Sequence, residues 1–148
     1  MKKYYALPIK IQKRNFSDSK SLTIDFSNES IQEWCLGLFL LKEELITSLV
    51  VSNKDGSYKI EIFLHLGQSR AKLSWTQNGA KLGINQTELD YWVSFFLKYY
   101  RDGISDVDHI DVDIPPNHAE KKGVYVTLRV PNAVKPVSPE EARRRLGL

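Results

Sequence analysis

This sequence holds one cysteine, Cys35, and one methionine, Met1. A single cysteine cannot close an intrachain disulfide, and it cannot supply a metal site that needs two thiolates from one chain. Such cysteine usage fits a reducing compartment, so a cytoplasmic location is expected. Long apolar runs are missing as well. The longest, Trp34 to Leu41, falls far short of the roughly 20 residues that cross a bilayer, and no membrane partner is expected. The N-terminal stretch starts with charge, but Pro8, Lys10 and Lys13 interrupt any apolar core, so it does not have the form of a signal peptide. Glycine is too scattered for a phosphate-binding loop. A nucleophile elbow and the His-Glu helix pair of zinc proteases are also absent. No motif calls for a cofactor, and none names an enzyme.

What is present suits one folded domain. The chain has 148 residues, 42% hydrophobic and 26% charged, which is a globular balance at single-domain length. The net charge of +3 hides two opposite regions. Residues 1–20 carry six Lys/Arg against Asp18 alone. Residues 87–117 carry seven carboxylates against Lys98 and Arg101. Each region can steer a different partner.

The periodicity along the chain alternates between strand and helix. Residues 4–13 are β-rich with Pro8 inside, which predicts an edge strand or a bulged one. Leu22, Ile24 and Phe26 alternate with Thr23 and Asp25 as in a half-buried strand. Ile31, Trp34, Cys35, Leu38, Leu41 and Leu45 line one face of a helix. Ser30 with Glu33 makes a capping-box pattern before it, while a buried strand remains the alternative for 30–45. Two hairpins follow, one across Asn53–Gly56 and one with Asn78-Gly79 as its turn. The second predicts Gln77 opposite Ala80, Trp75 opposite Leu82 and Leu73 opposite Ile84. Lys72, Ser74, Thr76 and Lys81 take the other face. The surest helix is 86–103. Thr87 is its expected cap, Leu89, Trp92, Val93, Phe96 and Tyr100 its inward stripe, and Gly103 its end. Strands at 107–114 and 123–130 come next. Ser138-Pro139 then starts a short helix.

The expected fold is therefore α+β: a single domain over 1–137, a largely antiparallel sheet laid out as a meander of hairpins, and helices packed on one face. Residues 138–148 form a short C-terminal helix or tail.

One stretch concentrates chemistry, "VDHIDVDI" at 107–114. Alternation puts His109, Asp111 and Asp113 on one face and Ile110, Val112 and Ile114 on the other. Asp106 and Asp108 lie just before or within it. Same-face neighbours stand about 6.6 Å apart along a strand. A divalent ion needs donors about 2–2.5 Å from one point, so these residues chelate only if their side chains bend together or another strand helps. Glu61 and His65 share a face of their own strand and would help if it were adjacent. Three functional readings follow. Asp106, Asp108, His109, Asp111 and Asp113 form an acidic partner-binding face. Alternatively, His109, Asp111 and Asp113 serve a small metal-dependent enzyme. In the third, the basic termini, with Tyr4, Tyr5 and the Arg143–Arg145 run, bind nucleic acid. Solvation of an ordinary strand face is the plain counterpart of all three. Cys35, on an apolar stripe, is expected to be inert core.

A helix bearing Glu33-Trp34 and ending in "LLKEEL" runs into "LITSLVVSNKDGSYKIEIFLHL" and then a hairpin. This arrangement, over about residues 20–85, resembles immunity proteins of bacterial contact-dependent inhibition and related polymorphic-toxin systems. The resemblance implies a small cytoplasmic, non-enzymatic protein that binds a cognate toxin domain, often a nuclease, and blocks it. Nuclease toxins hold phosphate on basic surfaces, and carboxylates on an inhibitor meet such surfaces with gains in rate and specificity.

Overall fold

The computed structural model describes residues 2–15, 19–27, 30–65, 67, 70–102, 109–115, 123–130 and 138–148, with side chains from residue 20 onward. Asp106, Asp108, Gly103 and His118 lie outside the described residues.

Eight strands form one sheet: β1 (Lys2–Asn15), β2 (Ser19–Phe26), β3 (Ser48–Asn53), β4 (Lys59–Leu64), β5 (Lys72–Thr76), β6 (Gly79–Ile84), β7 (His109–Ile114) and β8 (Gly123–Arg129). Three helices accompany it: α1 (Ile31–Lys42), α2 (Gln86–Asp102) and α3 (Pro139–Arg145). The spatial order is β5-β6-β4-β3-β1-β2-β8-β7. The pairs β1–β2, β3–β4, β5–β6 and β7–β8 are each antiparallel. The contacts β1–β3, β2–β8 and β4–β6, which join those pairs, are parallel. The class is α+β as expected, with antiparallel pairing predominant. The hairpins form, but β4 lies beside β6 rather than β5, so they do not follow one another as a simple meander.

Gly79 supplies the physical reason. A Cβ on Gly79 would sit 1.7 Å from the Lys59 carbonyl oxygen. Only glycine lets β6 approach β4 at that point, and Lys59 N–H donates to the Asn78 carbonyl at 3.0 Å. Gly79 is thus drawn into the strand opposite Thr76, and the turn falls on Gln77-Asn78. The register slips by two residues from the expected one: Leu73 faces Leu82 and Trp75 faces Ala80. A two-residue slip keeps every side chain on its face, and Lys72, Ser74, Thr76 and Lys81 are exposed as expected.

The first strand also departs from the edge position that Pro8 suggested. β1 is interior, between β3 and β2. The register shifts between Tyr5 and Ile9, so the bulged alternative holds. A missing N–H is tolerated where the ladder is already broken.

The segment 30–45 is helical. Its cap differs from the expected box: Ser30 makes no side-chain cap bond to the helix. Its hydroxyl instead donates to the Ser27 carbonyl at 2.9 Å and accepts from Ser27 N–H at 3.1 Å. At the other end Glu44 takes φ of 59°. Leu45 N–H donates to Leu40 O, and Glu44 N–H to Leu41 O. This is a Schellman turn with glutamate in the position that favours glycine. It throws Leu45 off the apolar stripe and into solvent. In α2 the cap is Asn85, whose Oδ1 accepts from Glu88 N–H at 2.8 Å; Thr87 lies one turn position inside. Tyr99, not Tyr100, completes the buried stripe.

Both long helices pack on the sheet face that carries Leu22, Ile24, Leu49, Val51, Ile60, Ile62 and Leu82. Phe26 joins sheet to helices, with its ring 4.6 Å from Trp34 and 5.4 Å from Phe96. Such aromatic pairs add about 0.5–1.5 kcal/mol each beyond burial. Cys35 lies in this core, and burial pushes its thiol up to about 11, so it is neither thiolate nor nucleophile at neutral pH.

The sheet also curls. Lys20 on β2 holds its ammonium 5.6 Å from the ring of Trp75 on β5, although β6, β4, β3 and β1 stand between them in the sheet order. In a flat sheet five strand spacings would separate them by about 24 Å. The helices therefore occupy the concave side. Among the described residues, no helix is long and apolar enough to cross a membrane.

Candidate functional site

β7 is the last strand in the order, and its residues alternate between exposed and buried along its whole length. Ile110, Val112 and Ile114 are in the core. His109, Asp111 and Asp113 project from the convex side, as alternation requires.

The neighbouring strands extend this surface. β8 sets Arg129 opposite His109, Thr127 opposite Asp111 and Tyr125 opposite Asp113. β2 then sets Asp25, Thr23 and Ser21 beside the same three. The rows across the three strands are His109–Arg129–Asp25, Asp111–Thr127–Thr23 and Asp113–Tyr125–Ser21. Three carboxylates thus share this face with one guanidinium and one imidazole.

The local contacts are specific. The Thr127 hydroxyl donates to Asp111 Oδ1 at 2.7 Å. His109 Nε2 leans to 3.6 Å from Asp111 Oδ2, well inside the two-residue strand step. This contact becomes an ion pair when the imidazole is protonated. Arg129 Nε stands 3.6 Å from Asp25 Oδ1. Exposed pairs of this kind contribute about 0–1 kcal/mol. The Thr127 and His109 contacts orient Asp111 rather than hold the fold. Asp113 borders a shallow groove of about 150 Å³ with Arg70, Pro115 and Tyr125. Arg70 precedes β5, at the opposite end of the sheet order, and reaches this groove because the sheet curls.

These residues do not converge on one point. Among the described residues, no group of three or more His, Cys, Asp or Glu side chains could hold a metal ion. Glu61 and His65 give no help, because their strand is not adjacent to β7 and they join no such group among the described residues. On α3, Glu141 pairs with Arg144, and with Arg145 at 3.1 Å, so two of the three arginines already have a carboxylate partner. The side chains of the basic N-terminal strand lie outside the described residues.

Sequence reasoning missed Asp25, Arg70, Tyr125, Thr127 and Arg129. Four of them carry a readable signal, since Tyr125, Thr127 and Arg129 alternate with Val124, Val126 and Leu128, and Asp25 with Ile24 and Phe26. Facing direction is legible in that pattern, but partner strand and register are not. Arg70 has no sequence signal, because its place depends on the curl of the whole sheet. The chain matches no protein-family model and no curated protein.

Proposed function

We propose that this protein is a non-enzymatic binding protein, an immunity protein that neutralises a cognate bacterial toxin domain by covering its basic, substrate-holding surface. The observation that carries the reading is the convex β7–β8–β2 face. Its β7 side chains are exposed and its β2 side chains half-buried, it is ordered by cross-strand contacts, and it is richer in carboxylates than in cations. It is also open: the adjoining groove of about 150 Å³ is below the roughly 300–1,000 Å³ of small-molecule sites. A broad face with fixed carboxylates suits recognition of a protein surface, where complementary charge sets orientation and association rate. A catalytic role would need acid and base groups converging within hydrogen-bond reach of one reacting atom, and His109 and Asp111, both exposed on the strand, lack that enclosure.

His109, Asp111 and Asp113, with Asp106 and Asp108 as the preceding part of the same segment, form the partner-binding set in this reading. Asp25 and Thr127 join them as neighbours. The protein acts inside the cell that makes the toxin, and it needs no cofactor. The test is direct. The toxin domain encoded beside this protein, often a nuclease, is assayed with increasing amounts of the purified protein. Activity should fall in proportion to added protein and vanish near equimolar ratio. Full toxin activity at excess protein would refute the reading.

A further inference from the structure

The C-terminal helix carries its own capping devices, yet none of its residues is buried against the described residues. Ser138 caps α3 by accepting from Glu141 N–H at 3.2 Å, and Pro139 opens it. At the other end Gly147 takes φ of 73°. Gly147 N–H donates to Arg144 O at 3.1 Å and Leu148 N–H to Arg143 O at 2.9 Å, which is a complete Schellman cap. Glu141 ties Arg144 and Arg145 along the helix. A helix of about two turns is marginal by itself, and every local device that favours one is present here. None of its residues is buried. Its C-terminal end carries Arg143, Arg144 and Arg145 beside Leu146 and Leu148, which are 74% and 87% exposed.

A second surface has the opposite charge and the same apolar character. The outward side of α1 exposes Leu36 at 50% and Phe39 at 40%, and Leu45 just beyond it at 63%. Glu33, Glu43 and Glu44 stand exposed around them. The helix's one cation, Lys42, is turned to Asp90 on α2 at 3.2 Å. Next to Glu44 and Leu45 is a groove of about 240 Å³ lined by Leu41, Ile46, Thr47 and Leu64, with room for aliphatic side chains. In the structure α3 does not cover this surface.

We propose that α3 of one copy docks on the outward face of α1 of a second copy, and reciprocally, to give a two-fold dimer. Leu146 and Leu148 meet Leu36, Phe39 and the groove beside Leu45, while Arg143 meets Glu43 and Glu44, and Arg144 and Arg145 stay tied to Glu141. Both halves of the contact reside on every chain, so two copies satisfy each other and the assembly closes. The contact is small, so the dimer forms in a concentration-dependent equilibrium.

Sedimentation equilibrium on the full chain tests this, using two charge-reversed variants. One carries Arg143→Glu, Arg144→Glu and Arg145→Glu, on a helix with no buried residue. The other carries Glu43→Lys and Glu44→Lys, both at exposed positions. The wild type should dimerise, and each variant alone should dimerise at least about tenfold more weakly. An equimolar mixture of the two variants should recover association, because each altered tail then meets an oppositely altered helix. A wild type that stays monomeric throughout the concentration series overturns the proposal. So does a variant that dimerises like the wild type, or a mixture no stronger than its components.

Discussion

Among the described residues, Glu44 is the one non-glycine residue with a positive φ. Its φ of 59° lies in the left-handed region, which costs a non-glycine L-residue roughly 1–2 kcal/mol. Glu44→Gly should therefore raise stability by about 1 kcal/mol, read as an increase in the guanidinium midpoint at unchanged slope; an unchanged or lower midpoint would contradict the Schellman assignment. Gly79 predicts the reverse. Any Cβ there meets the Lys59 carbonyl, so Gly79→Ala should cost about 3 kcal/mol. Circular-dichroism melts will show a large fall in midpoint if the β4–β6 approach is as described, and little change if it is not. Cys35 gives a pH dependence. Burial pushes its thiol up to about 11, above the unfolded value near 8.5. Above that lower value the unfolded chain sheds the proton first, so stability is lost as pH rises toward 11. Burial also raises Tyr58 and Tyr99, and these act in the same direction. Denaturation across this alkaline range should show a steeper loss for the wild type than for Cys35→Ala, and equal slopes would contradict the buried thiol. Residue facing was readable from sequence at the candidate site, because alternation forces Ile110, Val112 and Ile114 inward and His109, Asp111 and Asp113 outward. The hydrogen bond that orients Asp111 was not, because it comes from a strand sixteen residues away.

Elements were legible in kind more than in their ends. The apolar spacing of Leu89, Trp92, Val93 and Phe96 fixed α2, yet its cap moved from Thr87 to Asn85. Both are good caps by type, and the choice rests on which oxygen reaches the third N–H of the helix. Asn85→Ala should cost about 1 kcal/mol, and Thr87→Ala much less; paired urea titrations of the two variants decide between them. Trp92 adds an anchor in this turn, donating from Nε1 to Glu88 Oε1 at 2.8 Å. The hairpin β5–β6 shows the limit of turn signals. Asn78-Gly79 is a strong two-residue turn by composition, but a longer-range need overrides it, since β6 must place a glycine against Lys59.

Across the whole molecule, sheet order was the least legible feature. The chain states which segments are strands and which face of each is apolar. It does not state that β1, with an internal proline, becomes central. Nor does it reveal that parallel contacts join the antiparallel pairs, or that curling carries Arg70 to Asp113. Those follow from how an eight-stranded sheet wraps two helices whose large aromatic side chains, Trp34, Trp92 and Phe96, fill the concave side. The consequence for function is a division of labour between two sides. The concave side is occupied by the core, and the β7 side chains Asp111 and Asp113 project from the convex side, where the proposed partner would meet them.

The proposed contact is between this convex face and a basic protein surface. Calorimetric titration of the toxin domain encoded beside this protein, with wild type and with Asp111→Lys/Asp113→Lys, tests it most directly. Both positions are exposed, so the doubly changed protein should fold as the wild type does. Its affinity should fall by at least about tenfold, equivalent to about 1.4 kcal/mol. Unchanged affinity for the toxin domain in the charge-reversed protein would contradict the claim.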